Sequence, residues 1–311
     1  MQLVKREAVT DKNKGKPPEE RTIEELFESG IVVIDKPKGP TTHQVAYYVK
    51  KILHVKKCGH SGSLDPGVTG VVIIGLGKNT KVIHNLLKAS KEYVGIMHIH
   101  KPVDEREIKK VLSSFVGEIK QVPPIKSSVK RQERVRKIYY LDILEIEGQD
   151  ILFKVGCEAG TYIRKLCHDI GKKLGTGAHM AELRRTRVGN LDEKYAITLH
   201  QLADAYAFWK EGDEKELKKI ILPMEMAVSH MKKIAVLDST VDSLCHGASL
   251  KVPGISIVDD DIEKGNEVAV MTLKGELIMT GIAEMSAEEI MKKEKGTAVK
   301  PERVFMEPGT Y

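Results

Sequence analysis

Apolar positions recur along this chain with two periods, about 3.6 and 2, and the switches between them predict the order of elements. TIEELFESG (22–30) is a short amphipathic piece that ends a charged N-terminal stretch. IVVID (31–35) predicts a buried strand, and KPKGPTT after it a turn. Val45, Val49, Ile52 and Leu53 then share one helical face, with Thr41 or Thr42 as the cap. VVII (71–74) is a continuous apolar run, read as a short buried strand, and TKVIHNLL (80–87) as a helix. EYVGIMHIH (92–100) alternates like a strand. DEREIKKVLSSF (104–115) sets Ile108, Val111, Leu112 and Phe115 on one face behind Asp104 and Glu107, which stand in capping-box spacing. Strands around LDILEIEG and ILFKVGCEAG flank a turn at 148–150. TYIRKLCHDIGKKLG (161–175) spaces Ile163, Leu166, Cys167, Ile170 and Leu174 helically and closes on Gly175. TLHQLADAYAFW opens with a Thr198…Gln201 capping box.

Near residue 230 the texture changes to short strands and turns, with one helix around SAEEIMKKEK. The pattern predicts an N-terminal extension over 1–30, a mixed, mainly antiparallel domain over 31–230, and a β-barrel-like module over 231–311. The fold class is α+β. Its 311 residues suit two domains. No apolar run reaches the ~18 residues of a membrane span, and the charged N-terminus lacks a signal peptide's apolar core, so a cytoplasmic protein is expected. Cys58, Cys157, Cys167 and Cys245 lie far apart without a C-x-x-C pair, which reads as reduced thiols rather than a disulfide framework or zinc knuckle. His98 and His100 alternate onto one strand face, but no third ligand is near in sequence, and no metal is expected. Net charge is +6, and its grouping matters more than its size: KSSVKRQERVRK (126–137) and LRRTRVG (183–189) are basic clusters. Each alone reads as a solvated face, whereas two beside one cleft fit a polyanion.

GHSGSLDPGVTGVVIIGLG (59–77) places a carboxylate, Asp65, in a Gly-rich bend before a buried strand. Asp-Pro-Gly is ordinary turn chemistry. Equally, Gly59, Gly62 and Gly67 permit close backbone approach, and a carboxylate raised into a cleft acts as a nucleophile if an opposite charge keeps it ionised and aimed. Spacing alone leaves both readings open.

The same stretch resembles the catalytic motif of the pseudouridine synthases that include the bacterial tRNA T-arm enzyme and the archaeal and eukaryotic dyskerin-type enzymes. IVVIDKPKGPTTHQV, KEYVGIMHIH, VPPIKSSVKRQERVRKIYYLDILEIEG and GTYIRKLCHDIGKKLGTGAHMAELRRTRVG are similar to further motifs of the family, in order, and LCHGASLKVPGI to a PUA domain. The resemblance implies that Asp65 attacks the ribose or base of a target uridine, so that uracil detaches, rotates and rejoins through carbon. It implies that Tyr93 stacks on the flipped base, that Arg164 pairs with Asp65, and that His60, Tyr162 and Leu183 shape the pocket. Lys36, Lys130, Arg131, Arg184, Arg185 and Arg187 are implied to contact RNA. In the PUA module, Gly247, Ala248, Lys251 and Gly254 are implied to hold a guide RNA, and the N-terminal extension over 1–30 is implied to pack against that module.

Three departures from the bacterial pattern resemble the dyskerin branch: IHKPVDEREI after the tyrosine strand, a short segment before EIEGQD, and a full PUA module. That branch implies work inside an H/ACA particle, with a guide RNA, a ribosomal or transfer RNA substrate, and three small proteins: a zinc-ribbon protein, a β-barrel protein and a kink-turn-binding protein. An isomerisation implies no cofactor. A stand-alone tRNA T-arm enzyme and a non-catalytic RNA scaffold are the alternatives; the joint presence of Asp65, Tyr93 and Arg164 speaks against the scaffold.

Overall fold

The computed structural model of the chain describes residues 1–123 and 132–311. Among the described residues the strands form two sheets. The larger follows the path Leu222–Pro223, Gly30–Lys36, Thr69–Leu76, Ala178–Val188, Lys91–Ile99, Asp150–Cys157, Arg134–Glu147, Gly117–Gln121. Cys58–His60 lies beside Thr69–Leu76, and Leu191–Asp192 beside Ala178–Val188. Gly30–Lys36 and Thr69–Leu76 are almost wholly buried, which explains their unbroken β-branched runs. Helices Ile23–Ser29, Thr42–Ile52 and Leu199–Lys210 start on full capping boxes from Thr22, Thr41 and Thr198.

One junction in this sheet positions the site. Thr69–Leu76 meets Ala178–Val188 in parallel through two residue pairs, Thr69 with Arg184 and Gly70 with Arg185. Farther along, the same edge pairs with Cys58–His60 through residues 74–76. The bend at 61–68 leaves between these two partners. Gly70 makes the seam possible: its φ is +102°, and a Cβ there would stand 2.1 Å from the Arg185 carbonyl oxygen.

The smaller sheet orders Gln2–Val4, Ile255–Asp259, Lys232–Val236, Glu267–Thr272, Leu277–Ala283, Thr297–Val304 and Leu250–Lys251. The N-terminal segment belongs to it: beyond the strand pairing, Lys5 Nζ donates to the carbonyls of Met291 and Lys293 at 3.1 and 2.8 Å. A shared apolar core joins the sheets, with Ile31, Val33, Val71 and Ile73 packed against Ala269, Met271 and Leu277. Across the same interface Arg21 donates twice to Glu225, both at 2.8 Å, and Glu225 accepts from the Leu277 amide at 3.0 Å.

Several local expectations change. Asp104 does cap Glu105–Ser113, but through the Arg106 amide at 2.8 Å rather than in a reciprocal box with Glu107. TKVIHNLL splits into a 3-10 turn, Gly77–Lys81, and a helix, Ile83–Lys88. Asp238–Cys245 is a helix, not strand and turn, with Val241, Leu244 and Cys245 inward. Ala178–Val188, read only as a basic cluster, is a central strand. No helix among the described residues is long and apolar enough to cross a membrane. All four cysteines are free thiols, three of them buried.

Candidate active site

The bend carrying Asp65 is tied down at nearly every step. Ser61 donates its amide to the Ile73 carbonyl at 2.9 Å, and its hydroxyl accepts from the Ile73 amide at 3.2 Å. The buried Thr42 hydroxyl accepts from the Leu64 amide at 2.8 Å. Leu64 and Val68, 8% and 5% exposed, insert into the core on either side of the acid. The Asp65 carbonyl accepts from the Val68 amide at 2.9 Å, closing the Asp-Pro-Gly turn. The Asp65 side chain is left outward and exposed. The backbone of this residue makes a turn while its side chain faces open space.

Arg164 meets it there, its guanidinium paired with the Asp65 carboxylate. The arginine sits in the first turn of Ile163–Lys173, whose apolar face (Ile163, Leu166, Cys167 and Ile170) points inward, so Arg164 must point out. The chain before that helix is held by Gln121, which accepts from the Tyr162 amide at 3.0 Å and donates to its carbonyl at 3.2 Å.

Asp65, Tyr93, Tyr162, Arg164, Leu183 and Arg185 all border one cleft of about 580 Å³, within the usual range for a small-ligand site. Tyr93 projects from the central strand Lys91–Ile99, directly opposite Arg185 in register. Burial pushes the Tyr93 phenol pKa up, and the adjacent Arg185 pulls it back in part. The wall thus combines an exposed ion pair, a protonated phenol and apolar side chains.

Other expected contacts are corrected. Lys36 is fully buried, its ammonium donating to the carbonyls of Pro37, Pro66 and Val68, so it staples the bend and does not face RNA. Arg185 is 2% exposed, with Nε on the Val71 carbonyl at 2.7 Å and Nη2 on that of Gly62 at 3.3 Å; it is a cleft-wall residue, not a surface phosphate contact. His60 does not border the cleft. It stands on Cys58–His60, half-buried, with Nδ1 sealed and without a hydrogen-bond partner among the described residues, and burial lowers its pKa. Gly254 is buried, and a Cβ there would stand 2.5 Å from the Thr240 hydroxyl, so it packs against helix Asp238–Cys245.

Arg184 and Arg187 are partly exposed but engaged. Arg184 forks onto Asp35 at 2.9 and 3.0 Å and reaches Glu193 at 2.6 Å; Arg187 bonds Glu92 at 3.1 Å and the Tyr140 hydroxyl at 2.9 Å. Gly247, Ala248 and Lys251 lie exposed on the smaller sheet's unit, and Lys130 and Arg131 lie outside the described residues. The histidine strand gains a neighbour that spacing could not show: His179 stands across from His98 and 3.0 Å from His100. Still, no group of three His, Cys, Asp or Glu among the described residues is arranged to hold a metal ion.

Sequence reasoning missed Lys91 as well as the inward turn of Arg185. A signal existed for the arginine: Leu183 and Arg185 are two apart on a strand and share a face.

Known proteins with this organisation span the whole chain. Residues 1–46 match the DKCLD (NUC011) domain, 50–163 the N-terminal domain of TruB family pseudouridylate synthase, 164–229 the tRNA pseudouridylate synthase B C-terminal domain and 232–305 the PUA domain. The chain is 55% identical over 307 residues to the probable tRNA pseudouridine synthase B of Methanothermobacter thermautotrophicus, covering 98% of this chain and 95% of that one. Identity to the protein so named in Methanopyrus kandleri is 53% over 310 residues, covering 99% and 92%. Among solved structures, the chain is similar to one in a Cbf5-Nop10-Gar1 complex at TM-score 0.94 and 51% identity, covering 99% and 94%. It is likewise similar to a chain of an H/ACA RNP bound to a substrate RNA containing 2′-deoxyuridine, at TM-score 0.93 and 49% identity, covering 100% and 96%.

Proposed function

Because the chain belongs to the TruB family of pseudouridylate synthases, we propose that it isomerises uridine in RNA with Asp65 as the nucleophile and Arg164 as the cation that keeps it ionised and aimed. The observation that carries this reading is the exposed Asp65–Arg164 pair at the mouth of a cleft walled by Tyr93. An extruded pyrimidine fits such a space, stacks on the Tyr93 ring and packs against Leu183. Extruding a base costs a few kcal/mol, less where the RNA is looped or unpaired.

The working assembly in this reading is a guide-RNA particle in the cytoplasm. The substrate is ribosomal or transfer RNA, the partners are small proteins of the kind seen with the structural relatives, and residues 231–311 hold the guide near Gly247, Ala248 and Lys251. Catalysis belongs to residues 31–230. Similarity over the full chain to a protein in an H/ACA RNP supports this. A second reading, guide-independent modification of tRNA, is favoured by the names of the sequence relatives.

The test combines the purified chain with unmodified RNA, with and without guide RNA and partner proteins. Asp65→Asn should abolish pseudouridine formation and leave guide-RNA affinity within a few fold. Undiminished product from that variant overturns the assignment of Asp65, and full tRNA turnover that ignores the guide favours the second reading.

A further inference from the structure

Three buried cations surround the bend and the cleft: Lys36 at 0%, Arg185 at 2% and Lys91 at 8% exposure. Each donates to backbone carbonyls. Lys91 donates to Leu86, Leu87 and Ala89 at 2.9, 2.7 and 2.6 Å, closing the end of helix Ile83–Lys88. Among the described residues, none of the three bonds to a carboxylate. Both lysines feel Arg185 as a nearby like charge.

Burying an ion costs several kcal/mol even when it is hydrogen-bonded, and carbonyl dipoles return only part of that. Like charges placed together raise the cost. Proteins accept such arrangements where charge develops during a reaction. Lys91 and Arg185 both border the cleft beside Tyr93. The cleft's acids do not neutralise them: Asp65 is engaged by Arg164, and Glu158 lies 3.6 Å from Arg136. The interior wall is therefore left net positive against a substrate base that enters neutral.

The isomerisation supplies the missing anion. Breaking the C1′–N1 bond heterolytically leaves its electron pair on uracil, spread over N1, O2 and O4, while the sugar carbon is taken up by the enzyme carboxylate. The ring then turns, and C5 supplies the pair for the new C1′–C5 bond as the carboxylate leaves. The C5 proton departs and N1 gains one, so atoms and electrons balance without a co-reactant. We propose that Arg185 and Lys91 form a cationic wall that stabilises uracil as an anion while it is detached, and retains it in the cleft as it turns. The inference rests on the reading of Asp65 given above. Arg185 gives two of its five N–H groups to the Val71 and Gly62 carbonyls and a further side-chain hydrogen bond to the Tyr93 hydroxyl, which leaves donors for the ring oxygens. Lys91, with all three donors committed, acts through its field alone.

The experiment compares wild type, Arg185→Gln, Arg185→Lys and Lys91→Met in single-turnover assays, with partner proteins and guide present. Two RNAs are used, one with uridine at the target and one with 5-fluorouridine, whose base leaves as a less basic anion. Glycosidic-bond cleavage and RNA affinity are both measured. Arg185→Gln should slow cleavage of uridine by about 10²–10³-fold, the range for one removed oxyanion donor, and of 5-fluorouridine by about tenfold or less. Arg185→Lys should recover part of the loss, and Lys91→Met should shift the ratio in the same direction by less. Equal slowing of both RNAs by folded variants overturns the inference, because a merely structural defect does not sense the leaving group. If Arg185→Gln fails to fold, the ratio for Lys91→Met decides. A wild-type chain that cleaves neither RNA overturns the reading of Asp65 and this inference with it, and is told apart by that result.

Discussion

Replacing Thr42 with Val tests whether the aspartate bend is held from beneath. Thr42 is 2% exposed, and its hydroxyl oxygen accepts from the Leu64 amide at 2.8 Å, one residue before the acid. Valine keeps the shape but removes the acceptor, and an unsatisfied buried amide costs about 1–3 kcal/mol. The bend lies at the surface, so its cheapest response is to open and let water reach the Leu64 N–H rather than to unfold the domain. At about 2 kcal/mol the open-to-closed ratio rises roughly 30-fold. Backbone amide exchange at Leu64 should therefore accelerate by about that factor, while exchange in strand Lys91–Ile99 stays near wild type. The rate of isomerisation should fall only as far as the open state becomes populated, with RNA affinity nearly unchanged. Exchange at Leu64 within twofold of wild type would refute the reasoning, since the bend would then be held without this hydroxyl.

Two further outcomes concern charge. Burial lowers the Lys91 pKa to about 8 from an ordinary 10.5. Between those values the unfolded chain binds more protons, so wild-type stability should rise with pH by up to roughly 3 kcal/mol from pH 8 to 10.5, relative to Lys91→Met in paired denaturant titrations. Parallel pH curves would show that the buried amine carries no such penalty. Glu225→Ala strands the Arg21 guanidinium, whose side chain is 11% exposed, and the Leu277 amide at the junction of the two sheets. Breaking a buried pair from one side costs about 3–5 kcal/mol, so thermal unfolding should move down by several degrees; an unchanged midpoint would show that the apolar contacts alone hold the junction.

Local features were legible without coordinates because they depend on neighbours in sequence. Thr198 caps its helix through the box expected of it, and of Thr41 and Thr42 it is Thr41 that caps, both through bonds that span three residues. The apolar stripe of Ile163–Lys173 appears in its spacing, and that stripe by itself forces Arg164 outward. The motifs single out Asp65, Tyr93 and Arg164, and these three do border one cleft. What misled was charge: LRRTRV looks like a solvated face, yet it is a central strand whose Arg185 is buried against the cleft.

The chain by itself determined most of its elements and the caps Thr41 and Thr198, because torsional preference, 3.6- and 2-residue periods and capping bonds all act over a few positions. Only the tertiary structure decided that Gly70 brings the strand after the aspartate bend against Arg185, that residues 2–4 pair with a strand more than 250 positions away, and that Lys36, Lys91 and Arg185 are buried. Burial and register are set by surfaces distant in sequence, and a charged side chain bears no local mark of which side of a wall it will face.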